Sequence, residues 1–305
     1  VGPLALAVAV GGVVLPFAGG YGLAHLYGLD TVASLFMGAI LTATSIAVST
    51  RLLMDLNLGE SLAAKVILAA AIIDDVIGLL VLTAVVAAAS GGEGGLTAQL
   101  LPIGLFIVVG MPLLYWVLPR LLNAARQVGG EEAGLVVTVG TTLAVGWIAS
   151  QCGLEALIGA FFAGLFFGTT LASHDLEHEI EPVVRLFAPV FFVSIGLAIV
   201  PAEMFATLGF AVALTLLGIV TKLVGCGLPG VFGGLSWRES ALVGSGMVPR
   251  GEVGLIVAGI GAQGGFLDPG AFSAAAFACV ATILFAPPAI RFLASDAAAF
   301  KGATA

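Results

Sequence analysis

Long apolar runs, separated by short stretches rich in Gly, Pro or charge, dominate the pattern of hydrophobic and polar positions along the 305 residues. A helix that crosses a bilayer needs about 20 predominantly apolar residues, and the chain divides into about ten such spans. They fall near Gly2–Ala24, Thr31–Leu53, Ser61–Ala88, Ala98–Leu118, Glu132–Ser150, Leu154–Leu171, Pro182–Val200, Glu203–Gly225, Trp237–Ala262 and Gly270–Leu293. Runs such as AVVAAAS and IGAFFAGLFFG are continuously apolar, whereas a membrane β-barrel would show segments of about ten residues that alternate. The pattern predicts an all-α polytopic membrane protein, a single membrane domain over residues 1–305 with no stretch left for a soluble one.

Two spans, the second and the ninth, are predicted to break near their middles. In the second, LTATSIAVST places Thr42, Thr44, Ser45, Ser49 and Thr50 inside an apolar run, where their hydroxyls compete for backbone hydrogen bonds. In the ninth, SGMVPRGEVG sets Pro249 and Gly251 around Arg250 and Glu252; proline deletes a helix hydrogen bond and glycine lowers helix propensity. The breaks are thus expected at Thr42 and Thr44 and at Pro249 and Gly251. Irregular backbone at membrane depth survives only where protein or a water-filled cavity satisfies its polar groups, so both should face inward. Their positions, second from each end, are the layout of an inverted repeat of three helices at each end, and paired interrupted helices point to a transporter's midplane site.

Composition sharpens this picture. The chain is 60% hydrophobic and 9% charged, with a mean hydropathy of +1.18, where soluble domains carry about 25% charged residues. Arg51, Lys65, Arg120, Arg126, Arg185, Arg238, Arg291 and Lys301 fall at alternate helix connections or the carboxyl tail, while HLYGLD, SGGEGGLT, QCG, IVPAE and QGGFLDPG carry no Lys or Arg. The positive-inside rule then puts the basic loops and the C-terminus in the cytoplasm, for a chain in the cell (inner) membrane. The net charge of −8 reflects acidic loops such as HDLEHEIEP, and no basic patch is present to bind nucleic acid. Cys152, Cys226 and Cys279 are odd in number and lack a CxxC pattern, so no disulfide framework, zinc site or other cofactor is expected.

Ionisable residues inside a membrane are costly and usually functional. Asp74 and Asp75 sit mid-span in AAIIDDVIGLL, Lys222 lies in GIVTKLVGCG, and Arg250 and Glu252 flank the ninth-span break. Adjacent residues on a helix point about 100° apart, so the two aspartates can serve different partners. The expected arrangement pairs Asp74 with Lys222 and leaves Asp75 as the main ligand for an alkali cation. A buried carboxylate holds either a proton or a hard cation, and competition at one site exposed alternately to each side suffices for exchange of a cation against protons. Thr44 and Ser45, with carbonyls freed at the break, are the candidate neutral oxygen ligands. Arg250 and Glu252 are expected to offset the partial charges of the half-helix ends, or else to form an internal salt bridge. His174 and His178, four apart in an acidic stretch, read as a solvated linker, and Glu155 as a residue snorkelling at the outer interface. An intramembrane aspartyl protease also uses paired acids, but it needs them on two facing helices; no enzyme is expected. A non-transporting sensor on the same scaffold is the remaining rival.

The segments LTATSIAVSTRLL, AAIIDDVIGLLVL, GLEALIGAFFAGLFFG, PVFFVSIGL, the Lys222 helix and GMVPRGEVGLIVA, in this order, resemble the monovalent cation:proton antiporter superfamily, in particular its bacterial sodium/proton and potassium-efflux-like branches. The resemblance implies an inverted-repeat antiporter fold with the second and ninth spans unwound and crossed at the midplane. It also implies a core (1–90 and 203–295) that moves like an elevator against linking and panel helices (98–200), in a homodimer serving pH homeostasis. Family members have twelve to fourteen helices, so the resemblance implies further amino-terminal ones. Paired aspartates with a membrane lysine are similar to the electrogenic exchangers; Asn at the first position would imply electroneutral exchange and Gln a potassium-efflux type. The expected activity is exchange of Na+ for protons by alternating access, with K+/H+ exchange as the alternative.

Overall fold

Backbone at membrane depth has no water to bond to, and the apolar runs of this chain meet that demand by winding into helices. The computed structural model describes residues 2–45, 47–89, 101–102, 104–152, 154, 156–170 and 173–295. All regular elements among them are helical: α1 (Gly2–Leu26), α2 (Thr31–Thr42), α3 (Ala47–Asp55), α4 (Leu62–Ala89), α5 (Met111–Gln151, preceded by a π-turn at Phe106–Gly110), α6 (Ala156–Gly168), α7 (Ser173–Ala198), α8 (Pro201–Ala206), α9 (Leu208–Phe232), α10 (Trp237–Gly246), α11 (Glu252–Gln263) and α12 (Pro269–Ala294). Among the described residues, six stretches are long and apolar enough to cross a bilayer: α1, α4, Phe106–Gln151, His178–Ala198, α9 and α12; α2, α6 and α11 are shorter apolar helices. This is a multi-pass, all-helical membrane protein.

By mutual packing the chain divides into two compact units, Val1–Val85 with Ile195–Ala305, and Val86–Ser194. In the second unit the fourth and fifth expected spans run together as Phe106–Gln151, 46 residues of helix. At 1.5 Å per residue a straight helix of that length would reach about 69 Å, more than twice the bilayer core. It does not stay straight. Gly129 (φ −132°, ψ 15°) and Gly130 (φ 67°, ψ −152°) leave helical geometry, and Gly130 occupies the left-handed region that favours glycine. Beyond them Gly134 comes back against the Arg126 side chain, so close that a Cβ there would lie 2.9 Å from Arg126 Cγ and Nε. Positions eight apart in an unbroken helix are separated by about 12 Å, so the chain folds back on itself here.

The seventh span also starts earlier than its apolar run. The acidic stretch HDLEHEIEP forms the first turns of α7 instead of a linker, and Arg126 fastens it: Nη2 meets Glu179 Oε1 at 2.7 Å and Nη1 meets Asp175 Oδ2 at 3.8 Å. The side chain of His174, and Glu155, lie outside the described residues.

In the first unit, α1 packs against α9 through glycines. A Cβ on Gly11 would collide with the carbonyl oxygen of Gly225, and one on Gly225 with that of Gly11. Small residues let membrane helices approach backbone to backbone, where packing replaces the absent hydrophobic drive. A buried cluster containing Ala5, Leu52, Ala64, Leu235, Leu242 and Ile290 gathers one end of the unit, so Arg51, Lys65, Arg238 and Arg291, beside these residues in sequence, share that end. Arg238 Nε donates there to the Leu293 carbonyl at 2.7 Å. At the other end Tyr27 packs on Phe210, Phe36 on Phe266, and Thr207 Oγ1 donates to the Gly270 carbonyl; these are connections without Lys or Arg.

Gly225→Val should overpack the α1–α9 contact, costing about 2 kcal/mol and lowering the melting temperature of the purified protein by about 5 °C. Gly22, with no atom within 4 Å of a built Cβ, should accept Ala with a smaller change in the same melt.

Candidate functional site

Two helix interruptions and one unbroken helix build the site, all within the first unit. α2 ends at Thr42, whose hydroxyl donates back to the Ala39 carbonyl at 2.7 Å, and Ala43 leaves the helix with φ −54° and ψ 139°. Ala43, Thr44 and Ser45 are not helical, and neither are Met247–Gly251 between α10 and α11. The two segments meet directly: Ser45 N donates to the Pro249 carbonyl at 2.8 Å, and Ser49 Oγ donates to the carbonyl of Gly246, the last residue of α10, at 2.8 Å. Gly251 is a close-approach position, since a Cβ there would sit 2.7 Å from Ser45 Cβ and Oγ.

Arg250 satisfies the carbonyls that these breaks leave open. Its guanidinium is fully buried, with Nε donating to Leu41 O at 2.9 Å, Nη2 to Leu41 O and to Gly218 O at 3.3 Å, and Nη1 to Val248 O at 2.8 Å. Its backbone N–H donates to Thr282 Oγ1 on α12 at 3.1 Å. A cation thus lies against the carbonyl end of α2, where the helix dipole is negative. The salt-bridge alternative for Arg250 and Glu252 is corrected: among the described residues they form no ion pair, because the arginine's donors turn inward to backbone oxygens. Glu252 instead stays exposed and accepts a hydrogen bond from Ser45 Oγ at 3.1 Å.

α4 runs without interruption and carries Asp74 and Asp75 near its middle. Lys222, from α9, reaches across to Asp74, with Nζ 3.1 Å from Oδ1 and 3.3 Å from Oδ2, and it donates to Thr44 Oγ1 at 2.6 Å. The lysine side chain is 0% exposed and that of Asp74 1%. Gly12 of α1 closes over the pair: a Cβ there would lie 3.3 Å from Lys222 Nζ and 2.6 Å from Cys226 Sγ. Asp75, one residue on, points elsewhere. It is half-buried and makes no hydrogen bond or ion pair among the described residues.

The structure therefore gathers the nominated residues into three groups: Asp74 with Lys222 and Thr44, Glu252 with Ser45, and Arg250 with the end of α2. Thr44 and Ser45, expected together as cation ligands, have separate partners. Gly12, Ser49 and Thr282 were not nominated; Ser49 stood in the polar run of the second span, whereas nothing local marks Gly12 or Thr282.

The sequence profile of the sodium/hydrogen exchanger transmembrane family matches residues 1–295. The chain belongs to that family. Among its relatives are the Na(+)/H(+)-K(+) antiporter GerN of Bacillus cereus, 32% identical over 94% of this chain and 74% of the relative; the high-affinity Na(+)/H(+) antiporter NhaS3 of Synechocystis, 36% identical over 99% and 66%; and a Na(+)/H(+) antiporter of Enterococcus hirae, 29% identical over 93% and 76%. The chain of this exchanger-family protein thus spans about two thirds to three quarters of the length of these relatives. It is a membrane transporter by family and not an enzyme.

Removing one partner of a buried ion pair leaves an uncompensated charge and costs about 3–5 kcal/mol, while replacing both by uncharged groups is close to neutral. Lys222→Met should therefore lower the melting temperature sharply, and the double variant Asp74→Asn with Lys222→Met should recover most of that loss in the same thermal melt.

Proposed function

We propose that this chain is the helical transport unit of a cation/proton antiporter in which Asp75 binds a monovalent cation and a proton in turn. The observation that carries the reading is the state of Asp75: a half-buried carboxylate in mid-helix with no partner among the described residues, beside an Asp74 already matched by Lys222. An acid compensated by lysine is a poor cation ligand, and an uncompensated one at membrane depth is a strong one. Carboxylate, hydroxyl and carbonyl oxygens are hard donors suited to an alkali ion.

In this reading α2 with α3, and α10 with α11, are each one span broken and crossed at the midplane. The two arms meeting at Gly129–Gly130 are separate spans, which with the remaining long helices gives about ten. Residues 1–90 and 203–295 form the moving core and 98–200 the linking and panel helices, in a homodimer of the inner membrane. The end carrying Arg51, Lys65, Arg238 and Arg291 faces the cytoplasm. Na+ is the proposed cation, exchanged electrogenically because Asp74 with Lys222 offers a second proton-handling pair. The K+ alternative is favoured by one particular: GerN is named for both Na+ and K+.

Reconstituted in liposomes with a trapped pH dye, the complete protein should show Na+-driven proton flux that depends on membrane potential, and Asp75→Asn should abolish it. Flux with K+ alone would reassign the cation, and absence of flux from well-folded protein would leave the sensor. Cysteines placed at Asp55 and at Tyr27 should label from opposite sides, with position 55 reached only from the cytoplasm.

A further inference from the structure

Pro249 and Arg250 share one peptide unit between α10 and α11, and both of its polar groups are taken by residues from elsewhere in the chain. The Pro249 carbonyl accepts from Ser45 N at 2.8 Å, and the Arg250 N–H donates to Thr282 Oγ1 at 3.1 Å. A trans peptide is planar, with its carbonyl and its N–H on opposite edges, so a bond on one edge sets the direction of the other. The Thr282 hydroxyl is itself oriented: it donates to the Cys279 carbonyl of its own helix at 2.8 Å, which leaves its oxygen lone pairs for Arg250. Thr282 is fully buried on α12, in the apolar run FACVATILF. One turn earlier, Cys279 packs against the first turn of α11, where a Cβ on Gly254 would lie 3.0 Å from its Sγ.

We propose that Thr282 is a positioning residue of the cation site: by holding the Pro249–Arg250 peptide, it aims the Pro249 carbonyl at Ser45 and so fixes where the other break presents Thr44. This rests on the reading of Asp75 given above. Thr44 is the second acceptor of Lys222, whose Nζ lies 2.6 Å from Thr44 Oγ1 and 3.1 Å from Asp74 Oδ1. While both acceptors are in place, the ammonium stays on Asp74 and leaves the next carboxylate, Asp75, to the cation. Without the Thr282 oxygen, the buried Arg250 N–H has no acceptor, which is costly; the peptide turns, and the segment carrying Thr44 and Ser45 loses its tie. An ammonium freed of Thr44 then competes with the cation for the negative charge of Asp75. Thr282 thus acts through a chain of hydrogen bonds, without touching the cation.

The test is the cation dependence of proton flux by the complete protein in proteoliposomes, with Na+ and K+ as the probes. Thr282→Val, which removes the acceptor and keeps nearly the same shape, should raise the apparent KM for the cation about three- to tenfold with the maximal rate retained. Thr282→Ser, which keeps the hydroxyl, should restore the original KM. The rise in melting temperature that the cation produces in the purified protein should shrink in Thr282→Val and return in Thr282→Ser, a change that lost packing alone does not cause. Should Thr282→Val not fold, Thr282→Ala removes the same acceptor with less bulk and carries the same expectation. A lowered melting temperature with unchanged KM and unchanged response to the cation, or a fall in maximal rate at constant KM, would make Thr282 a packing residue and overturn the proposal. Asp75→Asn alongside separates the two readings: flux lost there while Thr282→Val keeps its KM rejects only the positioning role, whereas flux surviving Asp75→Asn rejects the central site and this proposal with it.

Discussion

Interrupting a helix inside a membrane leaves backbone carbonyls and N–H groups that no solvent can satisfy, and the first unit is organised around meeting that demand. Arg250 answers it at the end of α2, Ser49 at the end of α10, and the Ser45–Pro249 bond ties the two interruptions to each other. Each of these bonds crosses about 200 positions of sequence, so the two ends of the chain hold one another's breaks closed. Without that reciprocity either segment would wind into ordinary helix or expose polar backbone to lipid.

Meeting the backbone's needs with an arginine has a consequence for charge. Because Arg250 is occupied by carbonyls, it is not available to the acidic side chains nearby, and Lys222 is the cation that remains for them. Lys222 and Arg250 against Asp74, Asp75 and Glu252 leave the neighbourhood negative by one charge, with Asp74 paired to Lys222 and Glu252 bonded to Ser45. In the proposed reading, surplus negative charge and oxygen donors suit a cation that must bind and leave. The close packing of glycines at Gly11, Gly12 and Gly225 serves the same end, since it lets α1 and α9 approach until Lys222 and Asp74 are sealed from solvent.

The membrane class, the helical content and the family were all legible in the sequence, because they depend on run length, composition and a few ordered motifs. Asp74, Asp75, Lys222, Arg250 and Glu252 could be singled out for the same reason: an ionisable residue within an apolar run stands out without any knowledge of its neighbours. The turn at Gly129–Gly130 falls inside the basic connection expected between the fourth and fifth spans, where two glycines oppose helix; less legible was the early start of α7, whose acidic turns are stabilised by an arginine some fifty residues away.

What the sequence determined by itself was which residues must be hidden from water and which charges would be hidden with them, since hydrophobicity is a property of each side chain. Partner choice was decided only by the tertiary structure. Thr44 could have served the cation or the lysine, and Arg250 could have met Glu252 or the end of α2; one-dimensional spacing treats these options alike. The fold separates them because hydrogen bonds are short and directional, so a rotation of one helix or a break of a few residues settles which donor reaches which acceptor.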